Sequence, residues 1–141
     1  MIKFIFLTQE FFDDYAHCTE IEQKKERPYV LVHLCVNGVD FAIPFRSNLK
    51  HKYVYWTDKE NLCGLDFSKA VVIEDAKYID AKAKPYVRPN ERRALFGKEH
   101  DIERGLLDYI GEYKKAKLKP DKHRGERLLK YSTLQYFEKY I

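Results

Sequence analysis

Between Arg46 and Lys52 the chain places a hydroxyl, an amide, three permanent cations and an imidazole in seven residues, "RSNLKHK", with no acid among them. Tyr53, Tyr55 and the single tryptophan, Trp56, follow at once. These groups suit phosphate chemistry that needs no metal ion. RNA carries its own nucleophile, the 2′-hydroxyl beside each phosphate. A protein that cuts it must orient that hydroxyl, neutralise charge developing on phosphorus and protonate the leaving 5′-oxygen. Arg46, Lys50 and Lys52 can meet the second need, because fixed cations act where charge develops. The Ser47 hydroxyl can bond to a phosphate oxygen or to the 2′-hydroxyl, and His51 or a lysine can pass a proton. Tyr53 and Trp56 can stack bases. The same residues also suit an ordinary basic loop between strands, and composition by itself favours that plainer account.

A second cluster offers different chemistry. "VVIEDAKYI" runs an apolar strand into Glu74, Asp75 and Lys77, with Asp66 upstream. Carboxylates at a strand end with a nearby lysine are the parts of a Mg²⁺-dependent nuclease, where the acids hold the metal and the lysine polarises water. Any strand that ends in solvent has the same look. His17-Cys18 and His33-x-Cys35 could supply metal ligands, but neither has the spacing of a zinc site, and His33 and Cys35 read as a core imidazole and a buried thiol. The sequence therefore points to no metal and no cofactor. Nucleotide-binding, hydrolase and zinc-protease signatures are all missing.

Charge points to a partner. Lys and Arg total 26 against 22 Asp and Glu, a net charge of +4. Lys114, Lys115, Lys117, Lys119, Lys122, Arg124, Arg127 and Lys130 face only Asp121 and Glu126 over the same stretch. A basic C-terminal third and a basic loop together suit a polyanion; a solvated helix face would have the same composition. At 141 residues, 45% hydrophobic and 34% charged, the chain reads as one globular domain, 1–141. No apolar run approaches a membrane span, and "MIKFIFLTQEFFDD" is too short and too acidic for an export signal. Cys18, Cys35 and Cys63 then read as reduced thiols of a cytoplasmic protein.

The elements that must position these groups follow from pattern. Residues 2–7 predict a strand and 8–16 a short helix capped by Thr8. Residues 20–28 predict a solvent-facing turn or short helix. "YVLVHLCV", the "NG" turn and "VDFAIPF" predict a hairpin over 29–45, with pairing weakening at Pro44. "YVYW" predicts a short strand, "KENLCGLDFS" a loop, and 69–75 a buried strand. After the Pro-rich 82–90 the chain reads as helical, with Asn90 as N-cap. An apolar stripe of Ile102, Leu106, Ile110 and Tyr113 runs from about 99 to 118. Ser132 and Gln135 have capping-box spacing. Strands first and helices last give an α+β domain: a small, strongly bent antiparallel sheet with helices on one side or end.

The order "PYVLVHLCVNGVDFAIPFRSNLKHK", "TDKENLCGLDFSKAVVIEDAKYI", "PYVRPNE" and a terminal "YSTLQYFEKYI" resembles the toxins of type III toxin–antitoxin systems, most of all the TenpN/CptN branch and more distantly ToxN and AbiQ. The resemblance covers nearly the whole chain. It implies a Kid/MazF-like, SH3-like barrel with added helices. It implies a metal-independent endoribonuclease that leaves a 2′,3′-cyclic phosphate. It also implies an RNA pseudoknot antitoxin cut from a repeat transcript, closed toxin–RNA hetero-oligomers and a role in phage defence by abortive infection. By position, the family's loop serine falls on Ser47. The family's preceding threonine is replaced by Arg46. The lysine expected two residues after the serine is replaced by Leu49, which moves that role to Lys50, His51 or Lys52. Arg27 matches a basic residue before the first hairpin strand, a phosphate contact. Lys52, Tyr53, Trp56, Lys114, Lys115, Lys122 and Arg124 complete the expected RNA-binding set. A non-catalytic RNA-binding module using the same cations and tyrosines stands as the alternative, beside the Mg²⁺ nuclease of Asp66, Glu74, Asp75 and Lys77.

Overall fold

The computed structural model describes residues 2–23, 28–119 and 123–141, without the side chain of Arg124. Arg27 and Lys122, both expected RNA contacts, lie outside the described residues, as does the side chain of Arg124.

The fold is α+β. Among the described residues six strands form one antiparallel sheet that does not close, in the order β1-β2-β3-β5-β4, with β6 also on β3. The strands are β1 (Lys3–Ile5), β2 (Leu31–Val36), β3 (Val39–Arg46), β4 (Val54–Asp58), β5 (Cys63–Asp66) and β6 (Val71–Val72). Four α-helices accompany them: α1 (Gln9–Asp14), α2 (Pro89–Leu95), α3 (Glu99–Leu118) and α4 (His123–Tyr131). No described helix is long and apolar enough to cross a membrane.

The hairpin forms as patterned. Asn37 and Gly38 both have positive φ, 52° and 78°, the geometry whose twist matches flanking strands. Thr8 caps α1 by accepting from the Phe11 N–H. Pairing with β2 does not weaken at Pro44, contrary to expectation. Pro44 stands opposite Leu31, and Phe45 N–H donates to the Val30 carbonyl at 3.0 Å. The proline's missing N–H falls on the other edge of β3. There the partner changes from β6, at Phe41 and Ala42, to β5, at Phe45 and Arg46. A residue without a donor costs nothing in that gap.

"CGLD" is a strand, not part of a loop. Gly64 and Asp66 disfavour a strand, and pairing on both sides with β3 and β4 makes the segment β5. Gly64 permits the close approach: a Cβ there would lie 2.4 Å from the Tyr55 carbonyl oxygen. The predicted strand over 69–75 shortens to Val71–Val72, and Asp75 caps a 3-10 turn over Ala76–Tyr78. The N-cap of α2 is Arg88, not Asn90, because Pro89 takes the first helical position with its φ already set. Asn90 instead donates to Asp58 Oδ2 at 3.3 Å.

The long stripe on α3 buries Ile102, Leu106, Tyr109, Ile110 and Tyr113 against the sheet. Ser132 caps the turn that follows α4. Gln135 completes no capping box; its amide donates to the carbonyls of Leu129, Lys130 and Ser132. The C-terminal segment then locks onto the domain through fully buried Leu134 and Phe137. Tyr140 and Tyr15 both donate to Glu74, and Lys139 pairs with it at 3.5 Å.

The cysteines are all free thiols, Cys18 and Cys63 buried and Cys35 exposed. Cys35 and His33 fall on the outward face of β2, which corrects the expectation of a core pair. His33 lies 3.0 Å from Asp40 across the hairpin.

Candidate active-site loop and its two clefts

The basic loop leaves β3 at Arg46 and is held at three points. Leu49 is 3% exposed and its N–H donates to the Leu62 carbonyl at 3.0 Å. The other two points meet on Asp66, at the end of β5, whose side chain is wholly buried. Arg46 Nη1 donates to Asp66 Oδ2 at 3.0 Å, and His51 Nε2 lies 3.2 Å from Asp66 Oδ1. Ser68 adds its N–H at 2.9 Å and its hydroxyl at 2.6 Å to the same Oδ1. One buried carboxylate thus ties the start of the loop to its end. Ser47, Asn48 and Lys50 are left exposed between the anchors and Lys52 just beyond them, and Asn48 takes a left-handed backbone, φ 59°, to make the bend.

The hydrogen bonds fix the state of His51. Its Nδ1 accepts the Tyr53 backbone N–H at 3.1 Å, so in the neutral ring the proton sits on Nε2, facing Asp66. Both ring nitrogens are spent on holding the loop. Of the three residues to which the displaced lysine's role could pass, His51 is the one with neither a lone pair nor a spare proton for a ligand.

Burial by itself pushes the Asp66 carboxyl up, but hydrogen bonds from His51, Ser68 and Arg46 outweigh it and hold the group below the ordinary carboxylate value of 3.8. A carboxyl lowered in the folded state stabilises the fold above its unfolded value and loses that contribution as pH falls through the folded one. The melting temperature should therefore drop on acidification below about pH 3.8, and an Asp66→Asn chain should lack that part of the drop. Parallel thermal melts against pH check this.

The loop separates two clefts. The first, of about 500 Å³, is lined by Ser47 and Asn48 together with Glu22, Tyr29, Phe45, Arg46, Cys63, Arg88 and Glu91. Ser47 makes no side-chain hydrogen bond to any described residue. Arg46 Nε lies 3.3 Å from Glu22 Oε2 as an ion pair without a hydrogen bond, and one Nη1 N–H donates to Asp66. Arg88 pairs with buried Glu91 at 3.2 Å, and Glu91 also accepts from the Thr57 hydroxyl.

The second cleft, of about 600 Å³, lies between the loop and α4. Lys50, His51, Lys52, Lys69, Arg127 and Tyr131 line it with no acid among the described residues, and Arg46 borders it too. It runs into a neighbouring groove through shared Lys52, Tyr53 and Leu128; there Lys115 and Lys119 join, with Glu112 as the one acidic lining residue among the described residues. Tyr53 packs edge-on against Tyr109, ring centroids 5.1 Å apart. Trp56 stands opposite Gly64 on β4 and lines none of these clefts, and exposed Lys114 lines none either.

The loop residues expected to act together are thus divided. Ser47 and Arg46 share the first cleft; Lys50, His51 and Lys52 face the second; Arg46 is common to both. Comparison of the chain with protein-family models, with curated proteins and with solved structures returns no match to any of them.

The carboxylates of the metal-nuclease reading do not converge. Asp66 is buried under Arg46, His51 and Ser68; Glu74 holds Tyr15, Tyr140 and Lys139; Asp75 caps its own turn; Lys77 pairs with Glu10 at 3.1 Å. Among the described residues no group of three or more His, Cys, Asp or Glu side chains could hold a metal ion. Sequence reasoning treated Asp66 as a metal ligand and passed over Glu22 and Arg88. No spacing signal marks those three, because the sheet brings them to the loop from distant parts of the chain.

Proposed function

We propose that this chain is a metal-independent endoribonuclease that cuts RNA by attack of the 2′-hydroxyl, leaving a 2′,3′-cyclic phosphate. In this reading it is the toxin of a type III toxin–antitoxin system, as its resemblance to the TenpN/CptN branch suggests, and an RNA pseudoknot restrains it in a toxin–RNA assembly that serves phage defence. The observation that carries the reading is the exposed Ser47 hydroxyl, without a hydrogen-bond partner among the described residues, beside Arg46, whose guanidinium is fixed before any ligand arrives. Preorganised donors of this kind need no rearrangement as charge builds on phosphorus. Arg46 borders both clefts, so one RNA strand can put its reacting phosphate at Ser47 and its flanking phosphates against Lys52, Lys115 and Arg127. The sheet itself, α+β and open, supports a bent-sheet ribonuclease scaffold in general; closure into a Kid/MazF-like barrel is a finer proposal.

Phosphate contacts made by lysine and arginine release counterions, so affinity should fall linearly with salt on logarithmic axes. The full chain, expressed with its native upstream DNA, should co-purify with a discrete RNA that high salt loosens. Lys115→Glu and Arg127→Glu should each weaken RNA binding across sequences and flatten the salt slope by roughly one. Filter binding across a salt series measures both. Protein free of RNA, or slopes untouched by either change, would contradict the polyanion partner.

A further inference from the structure

We propose that Glu22 is the general base of this site, the group that takes the proton from the attacking 2′-hydroxyl; the inference rests on the ribonuclease reading above. Glu22 lines the same cleft as Ser47 and Arg46. Its Oε2 is buried, with no hydrogen-bond partner among the described residues and only the Arg46 Nε charge 3.3 Å away. The side chain is nevertheless 34% exposed, and Oε1 makes no hydrogen bond to a described residue. The residue's position is fixed from behind. Ile21 is 2% exposed, and the Tyr29 hydroxyl donates to the Glu22 carbonyl at 2.5 Å.

The other candidates in the cleft are spoken for. Glu91 is buried and held by Thr57 and Arg88. Burial, and then the charge of Glu22, push the Tyr29 phenol far up, so it keeps its proton. Lys50 and His51 line the other cleft.

In the step this implies, Glu22 accepts the 2′-hydroxyl proton as the 2′-oxygen bonds to phosphorus. The P–O5′ bond breaks with its electron pair on the 5′-oxygen, which takes a proton from water. The hydroxide left behind recovers the proton from Glu22. The carboxylate is restored, and the products are a 2′,3′-cyclic phosphate and a 5′-hydroxyl. The same transfer couples to Arg46. At rest its charge lies between two carboxylates, Glu22 and Asp66. Once Glu22 is protonated, Asp66 alone among the described residues opposes it, so the cation's field is released toward phosphorus as negative charge grows there.

The test is single-turnover cleavage of a random-sequence RNA oligonucleotide by the full chain in EDTA. Affinity is read in parallel with a non-cleavable 2′-deoxy oligonucleotide. Glu22→Gln should lower the rate at least about 100-fold with affinity unchanged or tighter, since one negative charge leaves the cleft. Its residual rate should climb in proportion to hydroxide concentration, because solvent base replaces the lost carboxylate. Glu22→Asp should recover most of the rate, which separates loss of the base from loss of the fold. A Gln variant that cuts at the parental rate, or one whose rate and affinity fall together with no change of pH dependence, overturns the assignment while leaving the ribonuclease reading standing. A parental chain that cuts no RNA overturns that reading and the base with it.

Discussion

Replacing Ser47 with alanine should lower RNA cleavage by about two to three orders of magnitude, the usual loss when one preorganised donor at the reacting group is removed. The fold should not notice. The side chain is exposed and bonds to nothing in the described protein, and the bend is made at Asn48, with φ 59°. RNA affinity should barely change, because in the proposed reading it is spread over many phosphate contacts along the second cleft and its groove. Single-turnover rates beside filter binding and a thermal melt check the three statements together. A Ser47→Ala chain that cuts at the parental rate would make the loop a binding surface only and favour the non-catalytic RNA-binding alternative.

Replacing Asp66 with alanine should destabilise the fold by about 3–5 kcal/mol, the range for removing one partner of a buried charge pair. The loss is large because a single carboxylate serves Arg46, His51 and Ser68 at once. Without it a guanidinium and three further donors, His51 Nε2 and the N–H and hydroxyl of Ser68, lose their shared acceptor. Both ends of the loop are also released, so cleavage should fall by more than the unfolded fraction explains. Urea denaturation, read at the midpoint with an unchanged slope, measures the first effect; activity corrected for the folded fraction measures the second. Asp66 acts here through Arg46 and His51 and is a positioning residue.

These two residues mark what the sequence could and could not reveal. Ser47 is conspicuous because its cationic neighbours are adjacent in the chain. Asp66 looks like a loop acid or a metal ligand until β5 forms. Only then does the register that sets Val54 opposite Asp66 and Arg46 opposite Gly64 bring the carboxylate beneath the loop. Long local periodicity was legible for the same reason. The α3 stripe and the Asn37-Gly38 hairpin depend on neighbours within a few residues. The strand at Cys63–Asp66 depends on partners from β3 and β4, and its own Gly64 and Asp66 argue against it.

The division of the loop between two clefts was not legible either. Alternation along seven residues does not show which side chains a buried anchor takes. The structure uses Leu49, Arg46 and His51 as anchors, so the side chains left without a hydrogen bond or ion pair among the described residues are Ser47, Asn48, Lys50 and Lys52. A histidine in a basic loop invites a role in proton transfer. Here both its nitrogens are committed, one to a backbone N–H and one to Asp66. The opposite holds for Glu22, which lies in an acidic, unremarkable stretch. Only the approach of Arg46 turns it into a chemically useful carboxylate.

The central claim is that cleavage needs no metal and runs through the RNA's own 2′-hydroxyl. The most direct measurement is to incubate the full chain with RNA in EDTA and determine the new 3′ ends by mass spectrometry. The account predicts cutting at an undiminished rate, with a 2′,3′-cyclic phosphate on one fragment and a 5′-hydroxyl on the other. Cutting that stops in EDTA and returns with Mg²⁺, or fragments ending in a 3′-hydroxyl, would contradict it.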